Sequence, residues 1–123
     1  MNRVGFLKEE LDKVIIVPEI HLGTILDDDL RQKTIDYLSK GMVILSYMEI
    51  STDELGNNIA PLEILTDGNW VWPSYFQFFL KRKLNLRIDD EFINFIRSKD
   101  FVMDDISTDK LKELQHLYLN KKI

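Results

Sequence analysis

Cysteine is absent from this chain of 123 residues. That excludes disulfides, thiol chemistry and cysteine-ligated zinc, and it suits a reducing compartment. Histidine is scarce: His21 and His116 are the only two. Neither lies in an HxH or HExxH context, and a catalytic or metal-binding histidine needs positioned partners. The five glycines stand isolated at 5, 23, 41, 56 and 68. They form neither a GxGxxG nor a GxxxxGK[ST] phosphate loop, and no GxSxG nucleophile elbow is present. Long apolar runs are missing too. The longest hold four residues, Val14 to Val17 and Met42 to Leu45, against the roughly 20 needed to cross a bilayer as a helix. The first dozen residues carry Arg3, Lys8, Glu9, Glu10 and Asp12 with no apolar h-region, so no secretory signal is expected. There is no repeat, low-complexity segment or Pro/Gly-rich linker. A single domain over residues 1–123 is expected, and the expected compartment is the cytoplasm.

What is present is a globular composition, 45% hydrophobic and 30% charged. A chain of this length buries roughly two-thirds of its unfolded surface, enough for a core without covalent staples. The net charge is −5. A negative chain is repelled by phosphate backbones and attracted to basic partners.

Periodicity assigns the elements. Residues 1–13 are ambiguous between helix and coil, and 14–26 read as extended or irregular because Pro18 stops an apolar run. Residues 27–40 read as a helix: Asp27 or Asp28 caps it, and Leu30, Thr34, Tyr37 and Leu38 share a side. Gly41 supplies the stop. "MVILSYMEI", about 42–50, is rich in β-branched and aromatic residues and reads as a strand. "IAPLEIL" is its return strand, Asp67-Gly68 a tight turn, and "NWVW" a third strand ended by Pro73. Helices follow at 74–84, 90–98 and about 108–120, started by Ser74, by Asp89 or Asp90, and by Ser107 or Thr108. The expected class is α+β, a three-stranded antiparallel meander packed with about four helices, mostly C-terminal.

The candidate sites are clusters of charge and of aromatics. Asp27-Asp28-Asp29, Asp89-Asp90-Glu91 and Asp104-Asp105 sit at predicted helix starts, where capping and the helix dipole account for acids. Asp53 and Glu54 lie in the polar tip "STDELGNN". Calcium loops alternate their ligands, whereas the Asp27 run is consecutive, so no metal is expected. No cofactor is expected either. "FFLKRKLNLR" interleaves aromatics with Lys81, Arg82, Lys83 and Arg87, the ingredients of a stacking-plus-phosphate site. The same aromatics match a buried helix stripe, and the basic residues fall where a helix end favours cations. Trp70 and Trp72 share one strand face, with Val71 on the other. That pair is either core or an interface hot spot.

The string Thr66-Asp67-Gly68, Trp70, Trp72-Pro73, the aromatic helix Tyr75 to Leu80, Glu91-Phe92 and Ile96 resembles an arrangement found in small acidic bacterial proteins. These include immunity proteins of contact-dependent growth inhibition systems. The resemblance covers about residues 60–98, and no functional residue is carried over from it. It implies a non-enzymatic cytoplasmic binder that neutralises a cognate toxin. Physically, that partner is expected to be basic, as a nuclease is around its active site, and the acids named above are the expected contacts. Such a blocking interface buries on the order of 1,600 Å². The alternative is a nucleic-acid-associated regulator using residues 75–87.

Overall fold

A computed structural model describes residues 2–4, 8–10, 13–15, 24–52, 57–82 and 87–121. In chain order the strands are β1 (Asn2–Arg3), β2 (Lys8–Glu10), β3 (Lys13–Ile15), β4 (Thr24–Ile25), β5 (Met42–Thr52), β6 (Asn58–Thr66), β7 (Trp70–Pro73) and β8 (Arg87–Ile88). The helices are α1 (Asp28–Ser39), α2 (Tyr75–Arg82), α3 (Asp90–Ser98) and α4 (Thr108–Leu119). The main sheet has the order β1-β7-β6-β5. The expected meander of β5, β6 and β7 is there, antiparallel throughout. To it the chain start adds a fourth strand, β1, parallel to β7. No local pattern announces that strand, because a two-residue parallel pairing across almost seventy positions leaves no periodicity behind. β2 pairs with β3 and β4 with β8, each as a separate two-stranded ladder.

Both tryptophans are core. Trp70 is 4% exposed and Trp72 1%. They face a cluster built from α1, α2 and α3 in which Phe92 is central. Its ring meets Trp70 edge-on at 5.2 Å and lies 6.2 Å from Trp72 and 6.3 Å from Tyr37. Such aromatic pairs add about 0.5–1.5 kcal/mol each beyond the area they bury. Val71, pointing the other way, is also fully buried, with Ile44, Ile64 and Leu114 of α4. Helices therefore cover both faces of the sheet, which is why every residue of "WVWP" is buried. The β5–β6 register breaks between Val43 and Leu45, so Ile44 and Leu45 together oppose Ile64. A bulge of this kind turns neighbouring side chains to one face, and Ile44 and Leu45 both pack toward α4.

Three helix starts follow the expected capping. Asp27 accepts from the Leu30 N–H at 2.8 Å, Asp89 from the Glu91 N–H at 2.8 Å, and Ser107 from the Lys110 N–H at 3.1 Å. Gly41 has a further reason to be glycine. A Cβ there would stand 2.5 Å from the Trp72 ring and 3.2 Å from Leu65. Residues 83 and 84 of the expected second helix lie outside the described residues.

Candidate functional site

The acids singled out in the sequence stand at three places. At the start of α1, Asp27 is consumed by capping. Asp28 pairs with Arg31 at 2.7 Å and Asp29 with Lys33 at 3.3 Å, yet their side chains remain 95% and 81% exposed. At the start of α3, Asp89 caps the helix while Asp90 and Glu91 are exposed in its first turn. Before α4, Asp104 pairs with Lys99 and Asp105 is exposed. Asp53 and Glu54 lie outside the described residues, as does His21.

These groups do not converge. The antiparallel β4–β8 ladder sets Thr24 opposite Ile88 and Ile25 opposite Arg87. The chain leaves that ladder toward Asp27 at one end and toward Asp89 at the other. Asp104 lies close enough to Tyr37 to act on its ionisation. Tyr37 is nine positions along α1 from Asp28, or roughly 13 Å at the helical rise. The acids thus stand as exposed clusters at separate helix starts, and the surface ion pairs that Asp28, Asp29 and Asp104 make are worth only about 0–1 kcal/mol each.

The buried acid among the described residues is Asp67, whose sequence context with Gly68 marks a tight turn. Asp67 is 3% exposed. Its Oδ1 accepts from the N–H groups of Asn69 at 2.8 Å and Trp70 at 2.7 Å. Its Oδ2 accepts from the Tyr37 hydroxyl at 2.5 Å. Thr66 completes the turn, donating to the Trp70 carbonyl at 2.7 Å and accepting from the Gly68 N–H at 3.0 Å. Burial, then the bond to Asp67 and its charge, push the Tyr37 hydroxyl well above the ordinary tyrosine range. Among the described residues the donors to Asp67 come from the turn and from α1, so the arrangement ties the β6–β7 hairpin to the helix. The sequence signal for it was Asp67-Gly68 with a tyrosine on the buried side of α1, but only folding brings them together.

A second tyrosine cluster lies on the α4 side. Tyr118 hydrogen-bonds Tyr47 of β5, and the Arg3 guanidinium sits 5.4 Å from the Tyr118 ring centre. Burial is the main cause that pushes Tyr118 up to about 12, with Tyr47 adding and Arg3 opposing. His116 is exposed on α4 beside Asn120. No group of three or more metal-ligating side chains occurs among the described residues.

The aromatic and basic segment divides as its helical spacing predicts. Tyr75, Phe76, Phe79 and Leu80 are buried. Those rings cannot stack on bases. Lys81 and Arg82 are exposed at the C-terminal end of α2, with Arg82 5.7 Å from the ring centre of half-buried Phe78. Lys83 is outside the described residues, and of Arg87 only the backbone, in β8, is described. No described helix is long and apolar enough to cross a membrane. Comparison with protein-family models, curated proteins and solved structures gives no match to this chain.

Proposed function

We propose that this chain is a non-enzymatic, immunity-type protein that binds a cognate bacterial toxin and neutralises it through its acidic surface. The observation that carries the reading is the exposure of the acids at the three helix starts, with Asp28, Asp29, Asp90, Glu91 and Asp105 all facing solvent. Helix capping alone requires one side chain per helix, and Asp27, Asp89 and Ser107 fill that role. The remaining acids add a field of one sign to a chain of net charge −5. Such a field speeds encounter with a basic surface and weakens as salt screens it. A toxin that handles nucleic acid presents a surface of that kind, and blocking it removes its access to phosphate.

The test is affinity capture with the tagged full chain from its native host, at low and high salt. Wild type is compared with a double variant, Asp90→Lys and Glu91→Lys. The expected result is a toxin domain retained at low salt, released by salt, and lost from the variant. Capture of a metabolic enzyme, or toxin binding indifferent to both salt and charge reversal, would sink the proposal.

A further inference from the structure

The four helices do not hold to the sheet equally. α1 and α4 have the same length, 12 residues each. Yet α1 buries five of its residues, α2 four and α3 three, whereas α4 buries Leu114 alone. Leu111, Leu117 and Tyr118 are only partly buried against the same cluster, and Leu119 is 59% exposed. The two faces of the sheet differ in the same way. α1, α2 and α3 share the large cluster around Phe92. α4 closes a small one, with Ile44, Ile64 and Val71 of the sheet. The free energy of opening an element follows the apolar surface it buries, so α4 is held by the weakest of these packings.

Two further features let α4 move as one piece. Its ends are satisfied within itself: Ser107 caps the first turn through the Lys110 N–H, and the Asn120 N–H donates to the His116 carbonyl at 3.1 Å. Those bonds travel with the helix. Its tether also divides into a fixed part and a free part. Phe101 and Met103 pack on the main cluster, and Lys99 pairs with Asp104. From there to Ser107 the chain forms neither helix nor strand, and Asp105 is exposed. Ile106 lies beside Gly68 of the β6–β7 turn, where the chain passes from one face of the sheet to the other.

We infer that α4 is a hinged cover. It leaves the sheet as one cooperative unit, turning about residues 104–107, in an opening smaller than global unfolding. The opening bares Ile44, Ile64 and Val71 while the main cluster stays folded. Tyr118 is the latch: it hydrogen-bonds Tyr47 of β5 and holds the Arg3 guanidinium 5.4 Å from its ring centre. Tyr47 is 40% exposed, so that bond lies at the solvent margin, where water competes for it. Once off the sheet, a helix of 12 residues is marginal in water, so α4 frays after it leaves and its amides exchange. The inference uses packing and not the acidic surface, so it does not rest on the proposed function.

The experiment is native-state amide hydrogen exchange of the full chain, resolved by residue, in urea from zero to below the unfolding midpoint. In wild type the α4 amides are expected to exchange together, about tenfold or more faster than the slowest amides of α1 and β6. Their dependence on urea should be weaker, because less surface is exposed. Ile96→Val, in the main cluster, supplies the decisive comparison. It should speed the slowest α1 amides by about fivefold and leave the α4 rates unchanged, since the packing it loosens persists when α4 opens. Leu114→Ala should speed the α4 amides by about tenfold or more. α4 amides that match the slowest of α1 in rate and urea dependence, or that speed up with them in Ile96→Val, overturn the inference. So do α4 rates that differ from amide to amide without urea dependence, the mark of local fluctuation and not of a cover that opens. The wild-type and Ile96→Val data decide the matter even if Leu114→Ala fails to fold.

Discussion

Two residues show how a single atom's surroundings set a requirement that sequence alone does not express. Gly41 reads as a helix stop, yet its Cα lies so near the Trp72 ring that a Cβ would come within 2.5 Å. Gly41→Ala is expected to cost about 1–3 kcal/mol, the usual range for overpacking a filled core, and urea unfolding measures it. Tyr37 reads as one more apolar position on α1, yet its hydroxyl donates to the buried Asp67 Oδ2 at 2.5 Å. Tyr37→Phe removes one oxygen and leaves a buried carboxyl oxygen short of a partner. A loss of about 1–3 kcal/mol is expected, with little change of the far-ultraviolet circular dichroism. A loss below that range would mean that Asp67 repacks to find another donor.

Among the elements, α3 stops by a device that its residues conceal. Phe101 donates to the Ile96 carbonyl at 2.9 Å and Asp100 to that of Arg97 at 2.9 Å. This pair of bonds places Asp100 where helices usually put glycine. Asp100 has φ 52° and Phe101 φ 57°, both left-handed. Asp100→Gly is expected to stabilise the chain by roughly 0.5–1 kcal/mol through relief of strain at an exposed position. Phe101→Gly is expected to destabilise it, because that ring packs on the main cluster. Thermal unfolding of the two variants distinguishes strain from packing by the sign of the change. The caps of α1, α3 and α4 were legible in advance, since Asp and Ser act on amides two or three residues away. The helix starts in the sequence therefore translate directly into structure, whereas the end of α3 depends on a contact between Phe101 and the core.

For the whole molecule, buried Tyr37 and half-buried Tyr118 tie stability to alkaline pH. Tyr118 is held up to about 12, mainly by burial. Tyr37 is raised further for the same reason and by Asp67. An unfolded tyrosine ionises near 10.0, so above that pH the unfolded chain gives up protons that the folded chain keeps. Stability is intact below about pH 10 and falls as pH rises through 12. Melting temperatures between about pH 9 and pH 12 should drop steadily for wild type and less steeply for Tyr118→Phe. At this scale the described acids stand exposed in the clusters at the helix starts, as their positions in the sequence place them.

The sequence by itself determined the α+β class, the meander, the four helices and most of their boundaries. Each of these follows from spacing, capping and turn chemistry within a few residues. It also placed Trp70 and Trp72 on one face, since a strand alternates with period two. Only the tertiary structure decided that this face is core, because that depends on Phe92 arriving from twenty residues away. It decided that α4 covers the opposite face over Val71. It decided too that the chain start pairs with β7, that Tyr37 bonds Asp67, and that β5 stands last in the order of the main sheet. All of these join residues far apart in the chain, and local periodicity carries no record of which distant surface will meet it.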